Sequence, residues 1–232
     1  MSRLDPIVAF LPCRKGSERV PKKNIRPFAG VKNGLIEIKL MQLLACPEID
    51  EVILSTNDQE ILKFAEKFSG DRLRVHRRAE ELSSSLTSTD ELVAHARSII
   101  VNGHILWTHV TSPFVTSDHY SQIIATYLDG LDKGYDSLMT TTLLHAFLWT
   151  AEGPINYDRA VEKWPRTQTL PALHEVNSAA FLAPCEIYDI HRDRIGNSPI
   201  LYTLDKLQSI DIDWEADFHF AEQLLLHDMV KL

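Results

Sequence analysis

Hydrophobic residues in this chain form two kinds of pattern: short runs without polar residues, and longer segments in which they recur every three or four positions. Residues 7–11 are apolar on both faces, as in a strand covered by helices. Ile61, Leu62 and Ala65 instead fall on one face of a helix that Asp58 can cap. Strands are predicted at 7–11, 51–56, 73–76, 104–110, 136–142 and 177–182, and helices at 35–44, 61–68, 92–100, 120–131 and 218–225. Because strands and helices alternate, the predicted fold class is α/β, with a mostly parallel central sheet flanked by helices.

The length of the chain limits the number of domains. Its 232 residues, 44% of them apolar, suffice for one α/β core, and a second complete domain would not fit comfortably. We therefore predict a single domain over residues 1–232. The regular spacing of apolar residues disappears at approximately 143–173, a segment that contains Trp149 and Trp164. This segment is predicted to be an excursion from the sheet and not a domain of its own.

Charge and cysteine content narrow the possible partners. A formal net charge of -8 argues against nucleic acid as a general partner. The three cysteines are widely spaced and lack a CxxC pair, which favours reduced thiols in the cytoplasm over a disulfide scaffold or a zinc site. No apolar stretch approaches the roughly 18 residues of a membrane span, and residues 1–6 lack the apolar core of a signal peptide. We therefore expect a cytoplasmic protein with no nucleic-acid or membrane partner.

The segment after the first predicted strand, residues 12–24, is a basic loop interrupted by Gly16 and Ser17. Its cations are Arg14, Lys15, Arg19, Lys22 and Lys23. Backbone N–H groups and cationic side chains at the carboxyl edge of an α/β sheet form an anion site, and a polyphosphate would suit this one. A solvated basic loop would have the same composition. Neither GxGxxG nor GxxxxGKS/T occurs, which excludes the two best-known phosphate loops.

Two acidic residues near the other end of the chain, Asp211 and Asp213, stand two positions apart. In extended backbone their side chains point the same way, so both carboxylates could face one cation. Mg²⁺ binds one or two protein carboxylates together with phosphate oxygens and water. Taken alone, however, the pair is better explained as a helix N-cap with first-turn acids.

Two further polar features have an ordinary structural explanation. The hydroxyl-rich segment 77–90 is typical of a loop that ends in a helix cap. His109 lies at the carboxyl end of the predicted strand 104–110, where a lone histidine is more often structural than catalytic.

Residues 11–24 resemble the signature LPARxGSxxxPxKN of the cytidylyltransferases that activate nine-carbon sugar acids, the CMP-sialic acid synthetase family, with Cys13 in place of Ala. Segment 77–90 resembles the family's RPxELAxDxxSS, with Ala79 and Ser85 in place of Pro and Asp. The resemblance implies a Rossmann-like nucleotidyltransferase that binds CTP. It implies nucleotide contacts at Leu11, Arg14, Gly16, Ser17, Lys23, Asn24, Arg78, Ser88 and Thr89.

Three later segments resemble the parts of this family that contact the sugar acid. Residues 109–114 are similar to QPTSPL, residues 165–171 to RRQDLP and residues 177–182 to NGxxYI. The chain departs from these patterns with His109 for Gln, Ser178 for Gly and Phe181 for Tyr. The resemblance assigns Arg166 to the carboxylate of the sugar, which suits a planar guanidinium. It implies sugar contacts at His109, Thr111, Ser112, Arg166, Asn177 and Phe181.

Residues 209–218 resemble the family's IDIDTxxDF, with Trp214 in place of Thr. The resemblance implies that Asp211 and Asp213 bind Mg²⁺. It also implies that the insertion at 143–173 pairs with a second copy, giving a homodimer whose chains complete each other's sites.

Together these residues predict nucleotidyl transfer. A hydroxyl of a nonulosonic acid, a sialic-acid-like sugar, would attack the α-phosphorus of CTP, and pyrophosphate would leave. Arg14, Lys23, Asp211 and Asp213 are the predicted catalytic residues, because they would neutralise the charge on the phosphates. Two alternatives remain: a Kdo-type cytidylyltransferase for an eight-carbon acid, and a nucleotide-binding domain that has lost turnover. The sequence does not specify which nonulosonic acid is the acceptor.

Overall fold

The computed structural model describes residues 5–68 and 70–232, in which seven strands form one sheet. The strands are β1 (Ile7–Pro12), β2 (Glu51–Thr56), β3 (Leu73–Arg77), β4 (His104–Thr108), β5 (Ser137–Leu144), β6 (Leu173–Pro184) and β7 (Pro199–Leu204). Their order across the sheet is β3-β2-β1-β4-β6-β5-β7. Strand β6 runs antiparallel to β4 and β5, and the other neighbouring pairs are parallel. The predicted α/β class with a mostly parallel sheet is confirmed.

Helices cover both faces of this sheet. They are α1 (Gly34–Ala45), α2 (Gln59–Ala65), α3 (Thr89–Ile99), α4 (Ser117–Leu131), α5 (Cys185–His191) and α6 (Glu215–Leu226). In β1, Ile7, Ala9 and Leu11 pack into a core with α1, α2, α4 and α6. Val8 and Phe10 pack into a second core with α3 and α5. The apolar run at 7–11 is therefore uninterrupted because both faces of β1 are covered.

Helix ends follow local signals in the sequence. Asp58 accepts a hydrogen bond from the backbone N–H of Glu60 at 2.9 Å and caps α2, as predicted. Gly34 opens α1 with φ +59°, and a Cβ there would collide with the backbone carbonyl of Arg26. Pro47 follows two positions after α1 ends at Ala45.

The structure corrects several predicted boundaries. Helix α2 ends at Ala65, so Phe68 lies beyond it, although its ring still packs against Phe64 at 5.2 Å between centroids. Strand β4 ends at Thr108, which leaves His109 in the segment that follows. The sequence analysis did not predict α5, which is seven residues long, or β7, which lies at the edge of the sheet.

Residues 145–172 join β5 to β6 and contain only a short 3-10 helix, Thr167–Thr169. They form a cluster of aromatic rings in which Phe147 packs edge-on against Tyr157 and Trp164, at 5.2 and 5.5 Å between centroids. The guanidinium of Arg159 lies over Trp149 and Trp164. Several large apolar side chains remain exposed here, among them Trp149 at 45%, Ile155 at 59%, Val161 at 85% and Trp164 at 63%.

The cysteines are free and buried, as the absence of a CxxC pair predicted. Burial raises the pKa of Cys13 to about 12 and that of Cys185 to about 11, so both remain thiols at neutral pH. No helix in the described ranges is both long and apolar enough to cross a bilayer.

A buried lysine connects α1 to the segment that follows β4. Lys39 is fully buried, and its Nζ donates to the carbonyls of Ser112 at 2.8 Å and Val115 at 3.2 Å, and to the hydroxyl of Tyr120 at 2.9 Å. The Tyr120 hydroxyl also lies 2.7 Å from Oγ1 of Thr108. Burial lowers the pKa of Lys39 well below its usual range. The amine of Lys39 therefore links α1 to the backbone at 112–115 and holds that backbone in place.

Replacing Lys39 with Met should destabilise the protein by about 2 to 4 kcal/mol, because two buried carbonyls lose their donor. Urea unfolding followed by circular dichroism measures the change. Lys133→Met is the matched control, since Lys133 is exposed and pairs with Asp129 on the surface of α4. Equal stability of both variants would show that the hydrogen bonds of Lys39 are not needed to hold this backbone.

Candidate active site

The basic loop and the two aspartates meet at a cleft of about 570 Å³ at the carboxyl ends of β1 and β4. We call it the first cleft. Its walls come from the basic loop, the start of α3, the segment after β4, and single residues of later elements. A second cleft of about 520 Å³ adjoins it and shares Ser178, Asp211 and Asp213 with it.

Backbone hydrogen bonds hold the basic loop in place. The N–H of Cys13 donates to the carbonyl of Ser55 at 2.9 Å, and the N–H of Lys15 to Oδ1 of Asn57 at 2.9 Å. Asn24 donates from its side chain to the carbonyl of Arg14 at 3.1 Å, which closes the loop on itself. Gly16 has φ +78°, in the left-handed region that glycine adopts readily. The side chain of Arg14 makes one weak contact, 3.4 Å to the Gly16 carbonyl, and so is available to a ligand.

Lys23 makes the central contact of the site. Its Nζ donates to the carbonyl of Ile212 at 2.6 Å and lies 3.5 Å from Oδ1 of Asp213. Arg19 donates to the same Asp213 oxygen at 2.8 Å. These bonds join parts of the chain 190 residues apart in sequence. Because the Lys23 side chain is only 11% exposed, water reaches its charge poorly. The acidic segment, residues 211–213, and a ligand in the first cleft are the partners that can stabilise this charge.

The acidic segment is held so that both carboxylates face the cleft. Ile212 is fully buried, and its N–H donates to the carbonyl of Thr111 at 2.9 Å. The neighbouring side chains of Asp211 and Asp213 therefore point the other way, into both clefts. Residues 211–213 belong to neither a strand nor a helix.

Asp211 is a largely buried carboxyl group with a raised pKa and an oxygen that has no hydrogen-bond partner among the described residues. Burial raises its pKa, a hydrogen bond from the Thr111 side chain opposes this rise, and the negative charge of Asp213 adds to it. Its Oδ1 is buried without a hydrogen-bond partner among the described residues. A cation would satisfy this oxygen and relieve the repulsion between the two carboxylates. No cluster of three or more His, Cys, Asp or Glu side chains suited to a metal occurs within 5–68 and 70–232, so a cation here needs oxygens from a ligand or water, as Mg²⁺ prefers.

His109 faces the first cleft as a neutral imidazole. Burial and the positive charge of Arg194 lower its pKa to about 3. The indole Nε1–H of Trp107 lies 3.0 Å from Nε2 of His109. Since an indole nitrogen can only donate, Nε2 must accept, and the proton of the ring is on Nδ1.

A family model described as cytidylyltransferase matches residues 8–230. The chain belongs to the cytidylyltransferase family. The resemblance seen in the sequence is thereby confirmed.

The curated relatives of this cytidylyltransferase include sugar-acid enzymes. It is 27% identical over 228 residues to N-acylneuraminate cytidylyltransferase B of Danio rerio, covering 94% of this chain and 51% of the relative. It is 26% identical over 222 residues to N-acylneuraminate cytidylyltransferase of Escherichia coli O18:K1:H7 (strain RS218 / NMEC), covering 93% and 51%. The chain thus spans about half the length of these relatives. Pseudaminic acid cytidylyltransferase of Campylobacter jejuni subsp. jejuni serotype O:2 is 30% identical over 131 residues, 54% of this chain and 55% of that protein.

Solved structures share the fold at low identity. CMP:2-keto-3-deoxy-manno-octonic acid synthetase complexed with CTP has a TM-score of 0.67 at 14% identity, over 96% of this chain and 99% of its own. The 4-diphosphocytidyl-2C-methyl-D-erythritol synthase of Anaerococcus prevotii DSM 20548 has a TM-score of 0.64 at 16% identity, over 95% and 96%. The Rossmann-like nucleotidyltransferase fold implied by the resemblance is therefore confirmed.

Most of the predicted site residues of the cytidylyltransferase come together. Those that line the first cleft are Arg14, Ser17, Lys23, Asn24, Thr89, His109, Thr111, Asp211 and Asp213. Asn177 lines the second cleft, where its side-chain amide donates to Oγ1 of Thr142 at 3.1 Å.

Other predicted contacts line neither of these two clefts. They are Leu11, Gly16, Arg78, Ser88, Ser112, Arg166 and Phe181. Leu11 is fully buried in the sheet. Ser88 caps α3 by exchanging hydrogen bonds with Glu91, in agreement with the interpretation of segment 77–90 as a loop that ends in a helix cap. The Arg78 side chain is buried against Oγ of Ser83 at 3.1 Å, and Arg166 is exposed on segment 145–172. Their roles in binding stay predictions.

The structure also adds residues that the site prediction left out. Arg19 and Ser85 line the first cleft, as do Trp107, Ser178 and Arg194. Ser178 has φ +57°, so it occupies the left-handed conformation that explains the glycine of the resembling pattern. Arg194 belongs to no motif in the sequence, and no signal there could have indicated it.

His109 should remain neutral down to about pH 4, with its proton on Nδ1, because burial and Arg194 lower its pKa to about 3. Long-range ¹H–¹⁵N correlation spectra across a pH series would report both properties. Trp107→Phe removes the donor to Nε2 and should shift that nitrogen resonance. A protonation midpoint near 6.5 would contradict the environment described here.

Proposed function

We propose that this chain transfers CMP from CTP to the anomeric hydroxyl of a nonulosonic acid and releases pyrophosphate. The observation that carries the proposal is the meeting of the basic loop with Asp211 and Asp213 in one cleft, beside a second cleft that shares those carboxylates. One cleft suits a polyphosphate and the other an acceptor, and the reacting atoms would meet between them. The named activities of the relatives support this proposal.

The first cleft would hold the triphosphate through side chains of the basic loop. Arg14 is available to donate to phosphate oxygens, and Lys23 has three N–H donors, of which the Ile212 carbonyl uses one. Arg19 and Lys23 both contact Asp213, and their charges would stabilise the pyrophosphate as it leaves. Positioning and electrostatics would supply most of the acceleration.

Asp211 and Asp213 would hold Mg²⁺, because the unpartnered oxygen of Asp211 needs a cation and two carboxylates with phosphate oxygens match the preference of this ion. When bound, Mg²⁺ would polarise the α-phosphate and favour ionisation of the attacking hydroxyl. The hydroxyl oxygen forms the new bond to the α-phosphorus, the bond to pyrophosphate breaks, and the proton passes to solvent. His109 is too weak a base for this proton, since its pKa is about 3.

The second cleft would take the sugar acid. Its walls include Lys206, which offers a positive charge to a carboxylate, and Asn177 and Thr142, which offer hydrogen bonds to hydroxyl groups. An eight-carbon acid is the second candidate acceptor, favoured by the fold of the synthetase complexed with CTP. The relatives named for N-acylneuraminate match this chain at 27% and 26% identity, against 14% for that synthetase, so a nine-carbon acid is the first candidate.

We also propose a homodimer, in which segment 145–172 of one chain completes the site of the other. Arg166 lies on this segment, is exposed and lines neither cleft of its own chain. Exposed Trp149, Val161 and Trp164 give the same segment an apolar surface of the kind found at interfaces. Such an arrangement would bring Arg166 to an acceptor carboxylate in the partner.

Asp211→Asn and Asp213→Asn should each reduce turnover by at least about 100-fold, because each removes half of the cation site. The assay measures pyrophosphate release from CTP and Mg²⁺ with N-acylneuraminic, pseudaminic, legionaminic and eight-carbon 3-deoxy-2-keto acids. CTP binding, measured by calorimetry without acceptor, should persist in both variants.

Asp205→Asn is the matched control, because Asp205 lies outside both clefts and its carboxylate accepts hydrogen bonds from the backbone N–H groups of Leu207 and Gln208 in its own turn. Unchanged turnover in both site variants would end the catalytic interpretation. CTP binding by the wild type without pyrophosphate release from any acceptor would favour the domain that has lost turnover.

Arg166→Ala and Asp211→Asn chains, each inactive alone, should regain about a quarter of wild-type activity when mixed and allowed to exchange subunits. Half of the dimers would then be mixed, and each would contain one intact site. Analytical ultracentrifugation would confirm exchange between differently labelled chains. Mixed dimers without recovered activity would show that Arg166 does not act across the interface.

A further inference from the structure

Arg194 lines the first cleft, and the proposed reaction assigns it no role. It lies on the loop 192–198 between α5 and β7. Its guanidinium stacks 3.7 Å from the ring centroid of Phe181 and 5.1 Å from that of Trp107. These two rings are side by side, because Trp107 of β4 pairs with Phe181 of β6 in the sheet.

The loop that carries Arg194 is firmly anchored. One carboxylate oxygen of Asp136 accepts from the backbone N–H groups of Asn197 at 2.7 Å and Ser198 at 3.0 Å. Oγ of Ser137 accepts from the N–H of Gly196 at 2.9 Å, and a Cβ at Gly196 would collide with Asp136. Partial burial alone would raise the pKa of Asp136, but these hydrogen bonds outweigh it and lower the pKa. The position of Arg194 is therefore set before any ligand binds.

The guanidinium of Arg194 has no direct polar partner. Its side chain has no hydrogen bond and no ion pair within the part of the chain that the structure describes, although it is half-buried. Burial lowers the pKa of Arg194, and the charge of nearby Asp193 offsets this only in part. The guanidinium packs over the rings of Phe181 and Trp107. Its N–H groups point along its edge, so they can still donate hydrogen bonds to a ligand.

The neighbouring group in the cleft wall is also a donor. His109 carries its proton on Nδ1, because Nε2 is engaged by Trp107. Both groups lie against Trp107, whose ring centroid is 5.1 Å from the guanidinium of Arg194, and both line the first cleft. Two adjacent donors without an acceptor between them match a ligand group that accepts hydrogen bonds and bears negative charge.

We propose that Arg194, with His109 beside it, binds the carboxylate of the acceptor sugar acid, in addition to the cations already offered to it, and so restricts the acceptors to acids. This inference rests on the proposed function. The acceptor is favoured over the triphosphate because Ser178, in the same wall, also lines the second cleft, whereas the triphosphate has Arg14, Arg19 and Lys23. Arg194 is thus assigned to specificity and not to the transfer step.

The test compares Arg194→Gln and Arg194→Lys with Arg192→Gln, a control two residues away that lines neither cleft. Arg194→Gln should raise KM for the best acceptor by about 10- to 100-fold, because a charged hydrogen bond is lost. It should leave the dissociation constant for CTP within about twofold. Arg194→Lys keeps the positive charge but loses the planar guanidinium with its paired N–H donors. Its KM for the acceptor should therefore lie between those of the wild type and Arg194→Gln.

A second arm does not depend on turnover. Direct binding of N-acylneuraminic and pseudaminic acids, and of their methyl esters, is measured by calorimetry with the wild type and Arg194→Gln. The wild type should prefer the free acid, and Arg194→Gln should lose that preference. Thermal melting of each variant establishes that it is folded.

Three results would overturn the assignment. One is an acceptor KM and acid preference unchanged in Arg194→Gln. Another is a weakened affinity for CTP with unchanged acceptor binding, which would assign Arg194 to the phosphates. The third is an equally large rise of the acceptor KM in Arg192→Gln. If the wild type binds the acids but releases no pyrophosphate, the proposed function fails while the Arg194 assignment is still decided by the binding arm.

Discussion

The hydrogen bond from Lys23 to the carbonyl of Ile212 holds the two ends of the chain together at the site. A largely buried ammonium is costly unless it is paired, and here its partners are a carbonyl and the carboxylate of Asp213. Without a ligand, the basic loop and the acidic segment therefore neutralise each other.

The sheet topology decides where the two clefts meet. Strand β6 enters antiparallel between β4 and β5, and this reversal brings Ser178 and Asn177 to the carboxyl end of β4. The buried Lys39 then fixes the backbone at 112–115, and the carbonyl of Thr111 fixes Ile212. The reactive groups thus depend on a chain of buried hydrogen bonds that no single motif contains.

Three of the departures from the family pattern lie in or next to the wall of the first cleft that contains Arg194. His109 keeps a donor where the pattern has Gln, Ser178 keeps the left-handed backbone of a glycine, and Phe181 packs under Arg194. Together they place a neutral imidazole and an aromatic ring next to Arg194.

The sequence by itself determined the α/β alternation, the basic loop and the paired aspartates, because local patterns of apolar, basic and acidic residues are strong signals at short range. It also gave the family, through motifs whose spacing survives at 27% identity. It could not show the reversal of β6, the burial of Lys39 or the place of Arg194, since these depend on contacts between residues up to about a hundred positions apart. Only the tertiary structure decided which cations face the cleft, because a lysine or arginine carries the same charge wherever it lies, and its burial and partners are set by the packing around it.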